Sequence, residues 1–383
     1  MGLFSGTAMG RVSVAGLVCA LLVGAGLATP AGAVDADEIV IQGPNIVGGV
    51  LSTPGDYDYF IACDPNERVD YSVQWLRNGE PVEPSSGYSP SLHVLTIEDV
   101  GSRYSAVLTG VPECPPVRVG DPRVIRKEPE RAEGFTGRGV FELEARRSDG
   151  VLLSYLGQDT VQGWKQILRL GSGWASFTRI IAAGDVTVDG RNDILATDAS
   201  GALLLYEGYS DGAFTTQFRA QVGSGWHTMD KVIGPGDFDG NGLNDLLATQ
   251  SNGDLYLYPR VGRGSWSPRV KVGQGWAGMD TLFAPGDFDG DGNVDVLAKD
   301  KEGRLFLYGG NGHGGWTSAR QIGQGWNALS KIGSVGDFNR DGFNDVHGVN
   351  AAGDLVMYYG DGRGAWKGAE TVGWGWNIFN GLY

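Results

Sequence analysis

Gly286-Asp287-Phe288-Asp289-Gly290-Asp291-Gly292-Asn293-Val294-Asp295 sets the reading of this chain. Carboxylates stand at alternate positions 287, 289 and 291, a glycine follows at 292, and Asp295 closes the stretch. Three short oxygen ligands can then face one point while the glycine takes the sharp bend, which is the spacing a hard cation needs. The pattern recurs in phase. Asp237, Asp239, Asn241, Gly242 and Asp245 repeat it 50 residues earlier, and Asp337, Asn339, Asp341, Gly342 and Asp345 repeat it 50 residues later. Asp185, Thr187, Asp189, Gly190 and Asp193 form a weaker copy. A fixed period of this length is the signature of a repeat architecture.

Two further markers keep the same phase. A Gly-x-Gly-Trp element ends at Trp174, Trp226, Trp276, Trp326 and Trp376, with an aromatic earlier in each unit at Trp164, Phe214, Trp266, Trp316 and Trp366. A strand-like run ends in tyrosine at Tyr155, Tyr206, Tyr258, Tyr308 and Tyr358. Five such units fill residues 134–383. A unit of this size with three or four short strands is a propeller blade, so an all-β, five-bladed β-propeller is expected. The first unit lacks the acidic loop: Gly134, Thr136, Arg138, Gly139 and Glu142 take its place, and Arg138 at a ligand position would repel a cation. The tail Asn377–Tyr383 stops short of a sixth unit and is expected to supply the inner strand of the first blade.

The stretch Gly286–Gly292 resembles the FG-GAP (VCBS-type) repeat of integrin α-subunit propellers and of many exported bacterial proteins, and the resemblance extends over roughly two-thirds of the chain. The units are also similar to tachylectin-type five-bladed lectins, which share the Gly-x-Gly-Trp element but not the Asp loop. That second resemblance implies sugar pockets between blades that use the aromatic element. Flat indole faces suit the apolar faces of sugars, so Trp174, Trp226, Trp276, Trp326 and Trp376 are candidate ligand-binding residues, with plain packing between blades as the alternative.

Oxygen-only donors select calcium over zinc or copper. The expected ligands are Asp185, Asp189 and Asp193; Asp237, Asp239, Asn241 and Asp245; Asp287, Asp289, Asp291 and Asp295; and Asp337, Asn339, Asp341 and Asp345. By carboxylate count the Asp287 loop ranks tightest. The four histidines stand in no catalytic frame. Repeated, equivalent carboxylates do not supply the two differently tuned groups of a glycosidase. A non-catalytic protein that binds carbohydrate or a cell-surface glycan is therefore expected, with adhesion to another protein, or a polysaccharide-active enzyme, as alternatives.

The rest of the composition bounds the partners. The net charge is −15, and 13 of the 45 acidic residues lie in the four loops. No basic stripe is present, so nucleic acid is not an expected partner. Met1–Ala33 reads as a secretory signal, with Arg11, an apolar run over Val12–Ala28 and the small-x-small site Ala31-Gly32-Ala33. Export is expected, with no membrane span left after cleavage and a disulfide between Cys63 and Cys114. Residues 34–124 hold strand-like runs at Tyr57–Cys63, Tyr71–Leu76 and Tyr104–Leu108, and a hairpin signal at Asn78-Gly79. With Trp75 and the run Ile97–Tyr104 they resemble the immunoglobulin-like domains of secreted bacterial proteins, although Cys114 stands later than that pattern has it. His93 is isolated and is expected to carry no chemistry. Residues 125–133 read as a linker.

Overall fold

In the computed structural model we describe residues 50–52, 72–83, 85, 92–100, 102–109, 117–120, 141–157, 164–189, 191–208 and 214–383. Residues 1–49, the expected linker 125–133, the run Tyr57–Cys63, Cys114 and Arg138 lie outside them, as does the side chain of Phe214. The chain divides into an N-terminal unit that includes Leu51–His93 and Ser102–Val124, and a C-terminal unit that includes Ile125–Tyr383.

In the N-terminal unit, Ser72–Arg77 is flanked by Glu80–Pro81 and Tyr104–Thr109, and Val117–Gly120 pairs outside the latter. Asn78 and Gly79 both take positive φ, 52° and 92°, which closes the tight hairpin read from sequence. Trp75 is buried against His93 and Tyr104. The imidazole Nε2 of His93 lies 3.1 Å from the Tyr104 hydroxyl. This histidine is therefore a hydrogen-bonded core residue.

The C-terminal unit consists of five four-stranded antiparallel sheets, with no α-helix among the described residues. Sheet I joins Glu142–Arg147, Leu152–Gly157 and Trp164–Gly171 to the C-terminal strand Phe379–Leu382. Sheets II to V start at Phe177, Met229, Met279 and Leu329 and run through their strands in chain order. In sheet III a two-stranded ribbon, Arg260–Gly262 with Ser265–Trp266, interrupts the step to the fourth strand. The first strands of all five sheets line one channel of about 150 Å³, through Ile181, Ile233, Phe283, Gly333 and Leu382 among others. A common axis ringed by inner strands is a propeller arrangement, and the apolar clusters lie between neighbouring sheets.

The Gly-x-Gly-Trp element is the joint between sheets. Each indole is 4–6% exposed. Each stacks on the tyrosine in the third strand of the sheet it leads into: Trp174 on Tyr206 at 4.8 Å, Trp226 on Tyr258 at 4.7 Å, Trp276 on Tyr308 at 4.5 Å and Trp326 on Tyr358 at 4.8 Å. Trp376 completes the circle on Tyr155 at 4.5 Å. Each Trp backbone N–H donates to a hairpin glycine carbonyl, as from Trp226 to Gly201 at 3.0 Å. The two glycines have separate duties. A Cβ on Gly223 would stand 2.5 Å from the Trp226 indole nitrogen, and Gly225 holds a left-handed φ of 80°. Gly223→Ala is expected to cost about 1–3 kcal/mol through overpacking, against almost nothing for Ser224→Ala. Urea unfolding followed by tryptophan fluorescence checks this, and equal midpoints for the two variants would refute it.

Candidate metal centre

The acidic loops join the first and second strands of sheets II to V. Their last aspartate opens the second strand and is fully buried in all four: Asp193, Asp245, Asp295 and Asp345. Its hydrogen bonds follow one plan. Asp295 Oδ2 accepts the backbone N–H of Phe288 (2.9 Å) and Asp289 (3.1 Å), and Oδ1 accepts that of Gly310 (3.2 Å). Asp245 does the same with Phe238, Asp239 and Arg260, Asp345 with Phe338, Asn339 and Gly360, and Asp193 with Val186, Thr187 and Gly208. The closing carboxylate thus folds the loop over itself and ties it to the end of the third strand. The first aspartate caps the bend: Asp287 accepts N–H groups from Gly290, Asp291 and Gly292.

Among the described residues, two loops bring three carboxylates together. The oxygens of Asp237, Asp239 and Asp245, and those of Asp287, Asp289 and Asp295, lie within 4.8 Å of one another. The fifth-position side chains stand outside these groups. Asp291 Oδ1 turns back to the N–H of Asn293, and Asn241 spends its oxygen on the N–H of Leu243 and its amide on the carbonyl of Arg260. The Asp237 loop thus assembles as many carboxylates as the Asp287 loop. The two outer loops assemble no such group. Asp189 pairs with Arg191 at 3.2 Å, Asp341 pairs with Lys367 at 2.7 Å, and Asn339 is turned onto Asp341.

The donor set fits a hard cation. It is all oxygen, and the third position of two loops leaves a buried oxygen that accepts no hydrogen bond, Asp289 Oδ1 and Thr187 Oγ1. Crowding of like charge in a dry place shows in the acidities. Burial, followed by the charge of Asp239, pushes Asp245 up to about 8. Burial likewise pushes Asp193 to about 8, and Asp295 and Asp345 to about 7. Asp239 and Asp289 are also raised, first by burial.

Each loop also plugs into the next sheet. Phe238 and Phe288, fully buried, meet Trp316 at 4.9 Å and Trp366 at 5.1 Å. Phe338 meets Trp164 of sheet I at 5.5 Å. Their backbone carbonyls are taken in turn, Phe238 O by the N–H of Gly314 and Phe288 O by that of Gly364, both at 3.0 Å. Sequence reasoning missed Arg260. Its guanidinium is wholly buried and donates to the carbonyls of Val186, Asp185 and Asn244. No motif marks it, because two of its three partners are main-chain groups of a loop 74 and 75 residues away.

The five repeated tryptophans require a correction. Trp174, Trp226, Trp276, Trp326 and Trp376 were candidates for stacking on sugar, but their indoles are covered by the tyrosines described above. They are packing residues. Trp374, between the two glycines of the last element, is by contrast 77% exposed. Its signal was legible, since the other four elements have Ser172, Ser224, Gln274 and Gln324 there.

A family described as FG-GAP-like repeat matches residues 185–248, 237–298 and 287–348, so the segment from the second sheet into the fifth is built of FG-GAP-like repeats. A comparison with curated proteins gives no match. Among solved structures, the chain is similar to the BP39L lectin of Burkholderia pseudomallei, at 15% identity and a TM-score of 0.40, over 77% of this chain and 88% of that one. It is also similar to an Agrocybe aegerita lectin described as recognising non-reducing terminal N-acetylglucosamine, at 14% identity and a TM-score of 0.39, over 88% and 90%. The WD40 domain of fission yeast SCAP matches at 11% identity and a TM-score of 0.31, over 61% and 53%. At such scores these likenesses carry no weight beside the strand pairing, which defines the propeller by itself.

Proposed function

We propose that this chain is an exported, calcium-stabilised propeller that binds carbohydrate and catalyses no reaction. The observation that carries the calcium reading is the pair of three-carboxylate groups, Asp237/Asp239/Asp245 and Asp287/Asp289/Asp295, at equivalent places in adjacent repeats. The carboxylates are interchangeable from repeat to repeat and are tied to their own loops, which suits a clamp better than an acid–base pair. Met1–Ala33, with its apolar run and small-x-small site, supports export into a calcium-rich medium. With the repeated indoles buried, a carbohydrate surface has to come from residues that differ between blades.

Extracellular calcium modules have dissociation constants of about 0.1–1 mM. At about 1 mM calcium and a constant near 0.1 mM, each site contributes about 1.4 kcal/mol. The two sites together are expected to raise the melting temperature by roughly 5–10 °C over the protein in EDTA. The effect has a pH signature. The closing carboxyls titrate near 7–8 in the fold, against about 4 in an unfolded chain. Their contribution to metal-free stability is full below about pH 4 and is lost as pH rises through about 7–8. A bound cation favours the ionised form and opposes that loss. In EDTA the melting temperature should fall from about pH 5 to about pH 8, with a smaller fall in calcium. Identical melts with and without calcium contradict the assignment. A glycan array read in calcium and in EDTA tests the carbohydrate part, and retention of a protein partner with no sugar would favour adhesion instead.

A further inference from the structure

We propose that the last inter-sheet turn, Gly373–Ile378, is a carbohydrate-stacking site with Trp374 as its platform. The proposal rests on the carbohydrate reading above and gives it a place and a sugar class. Two apolar side chains stand out in water on this one turn, Trp374 at 77% and Ile378 at 60% exposure, on either side of the buried Trp376. The other four turns serve as internal controls. At the Trp374 position they carry Ser172, Ser224, Gln274 and Gln324, and at the Ile378 position Ser176, Thr228, Gly278 and Ala328. The hairpin that each turn rests on differs as well. Trp376 N–H donates to Gly353 O at 2.7 Å, and the residues before that glycine are the exposed pair Ala351-Ala352. Sheets III and IV have Ser251-Asn252 and Lys301-Glu302 there, and in sheet IV the Gln324 amide reaches over its hairpin to the Glu302 carbonyl.

The four control turns close without an indole at this place, so folding does not need Trp374. The Trp374 indole, 77% exposed and not required for packing, offers a flat face to a ligand. Its extent decides the kind of contact. One indole and one isoleucyl chain fall far short of the ~800 Å² per partner of a stable protein interface, while one or two sugar rings match them. Pyranosides whose hydroxyls are all equatorial present a flat face of axial C–H groups, which lies on an indole face. The exposed Asn377 amide beside Gly353 offers a donor and an acceptor on the same turn. The class of ligand is therefore a β-linked glucoside or N-acetylglucosaminide.

The full-length protein in calcium is sedimented with insoluble cellulose and with insoluble chitin, and titrated with cellotetraose and chitotetraose under tryptophan fluorescence. Wild type is expected to bind at least one polymer. Trp374→Ala is expected to weaken that binding at least about tenfold, with Trp374→Phe in between and both variants melting like wild type. Saturating oligosaccharide should shield wild type from acrylamide quenching and leave Trp374→Ala unchanged. If wild type and Trp374→Ala bind a polymer equally, this site is refuted while the carbohydrate reading stands. If wild type binds neither polymer, the sugar class proposed here is refuted, and the glycan array decides the broader reading. A self-association in sedimentation velocity that Trp374→Ala abolishes would overturn the proposal in favour of contact between copies of the chain.

Discussion

Deletion of Asn377–Tyr383 is expected to abolish cooperative folding of the C-terminal unit. Those few residues carry the inner strand of sheet I, where Phe379, Gly381 and Leu382 pair with Arg147, Arg146 and Ala145. Tyr383 exchanges backbone hydrogen bonds with Glu144 at 2.9 and 3.3 Å. Phe379, 4% exposed, sits in the cluster that joins Phe141 and Leu143 of sheet I to Val335 and Met357 of sheet V. Loss of Phe379 alone, as in Phe379→Ala, should cost about 3–5 kcal/mol. Loss of the strand also bares an inner sheet edge and opens the ring where sheet I and sheet V meet. Against a typical total of about 5–15 kcal/mol, the truncated chain should be insoluble or melt without a cooperative transition. Circular dichroism during heating reads the outcome, and an unaltered melt would show that closure does not depend on this strand.

The second large effect is expected from Asp295→Ala. This carboxylate has been read as a cation ligand, and it is also the acceptor for three buried backbone N–H groups. Each donor left without a partner costs about 1–3 kcal/mol, so the variant should lose at least about 3 kcal/mol even in EDTA, where no cation contributes. Asp291→Ala removes an exposed side chain whose bonds are confined to Asn293, and should cost under about 1 kcal/mol. Chemical denaturation of both variants, with and without calcium, separates the two duties. If Asp295→Ala is destabilised only in calcium, the carboxylate acts through the cation and the hydrogen bonds contribute little.

The comparison of Asp291 with Asp295 also shows how far a motif can be read. Both occupy ligand positions in the repeat, and nothing in spacing tells them apart. The difference arises because Asp295 begins a buried strand and Asp291 lies on the outside of the bend. The same holds for the tryptophans. Their period was plain, but Trp276 and the tyrosine that covers it, Tyr308, are 32 residues apart. A flat indole turned outward and one turned inward have the same spacing in sequence.

What the sequence determined by itself was everything local or periodic: the repeat length, the number of units, the phase of the acidic loops, the unit without one, and the tail that completes the first sheet. Each follows from residues close in the chain or from counting. Tertiary structure decided what depends on which neighbour arrives. It put the five repeated indoles into the joints, brought three carboxylates together in two loops while Arg191 and Lys367 occupy aspartates of the other two, and left Trp374 in the open. Burial, and with it the division between scaffold and binding surface, is a property of the closed ring. The Asp237–Asp245 and Asp287–Asp295 loops each bring three carboxylates together at the seams between sheets, and in each the closing aspartate accepts the backbone N–H groups that fold the loop over itself.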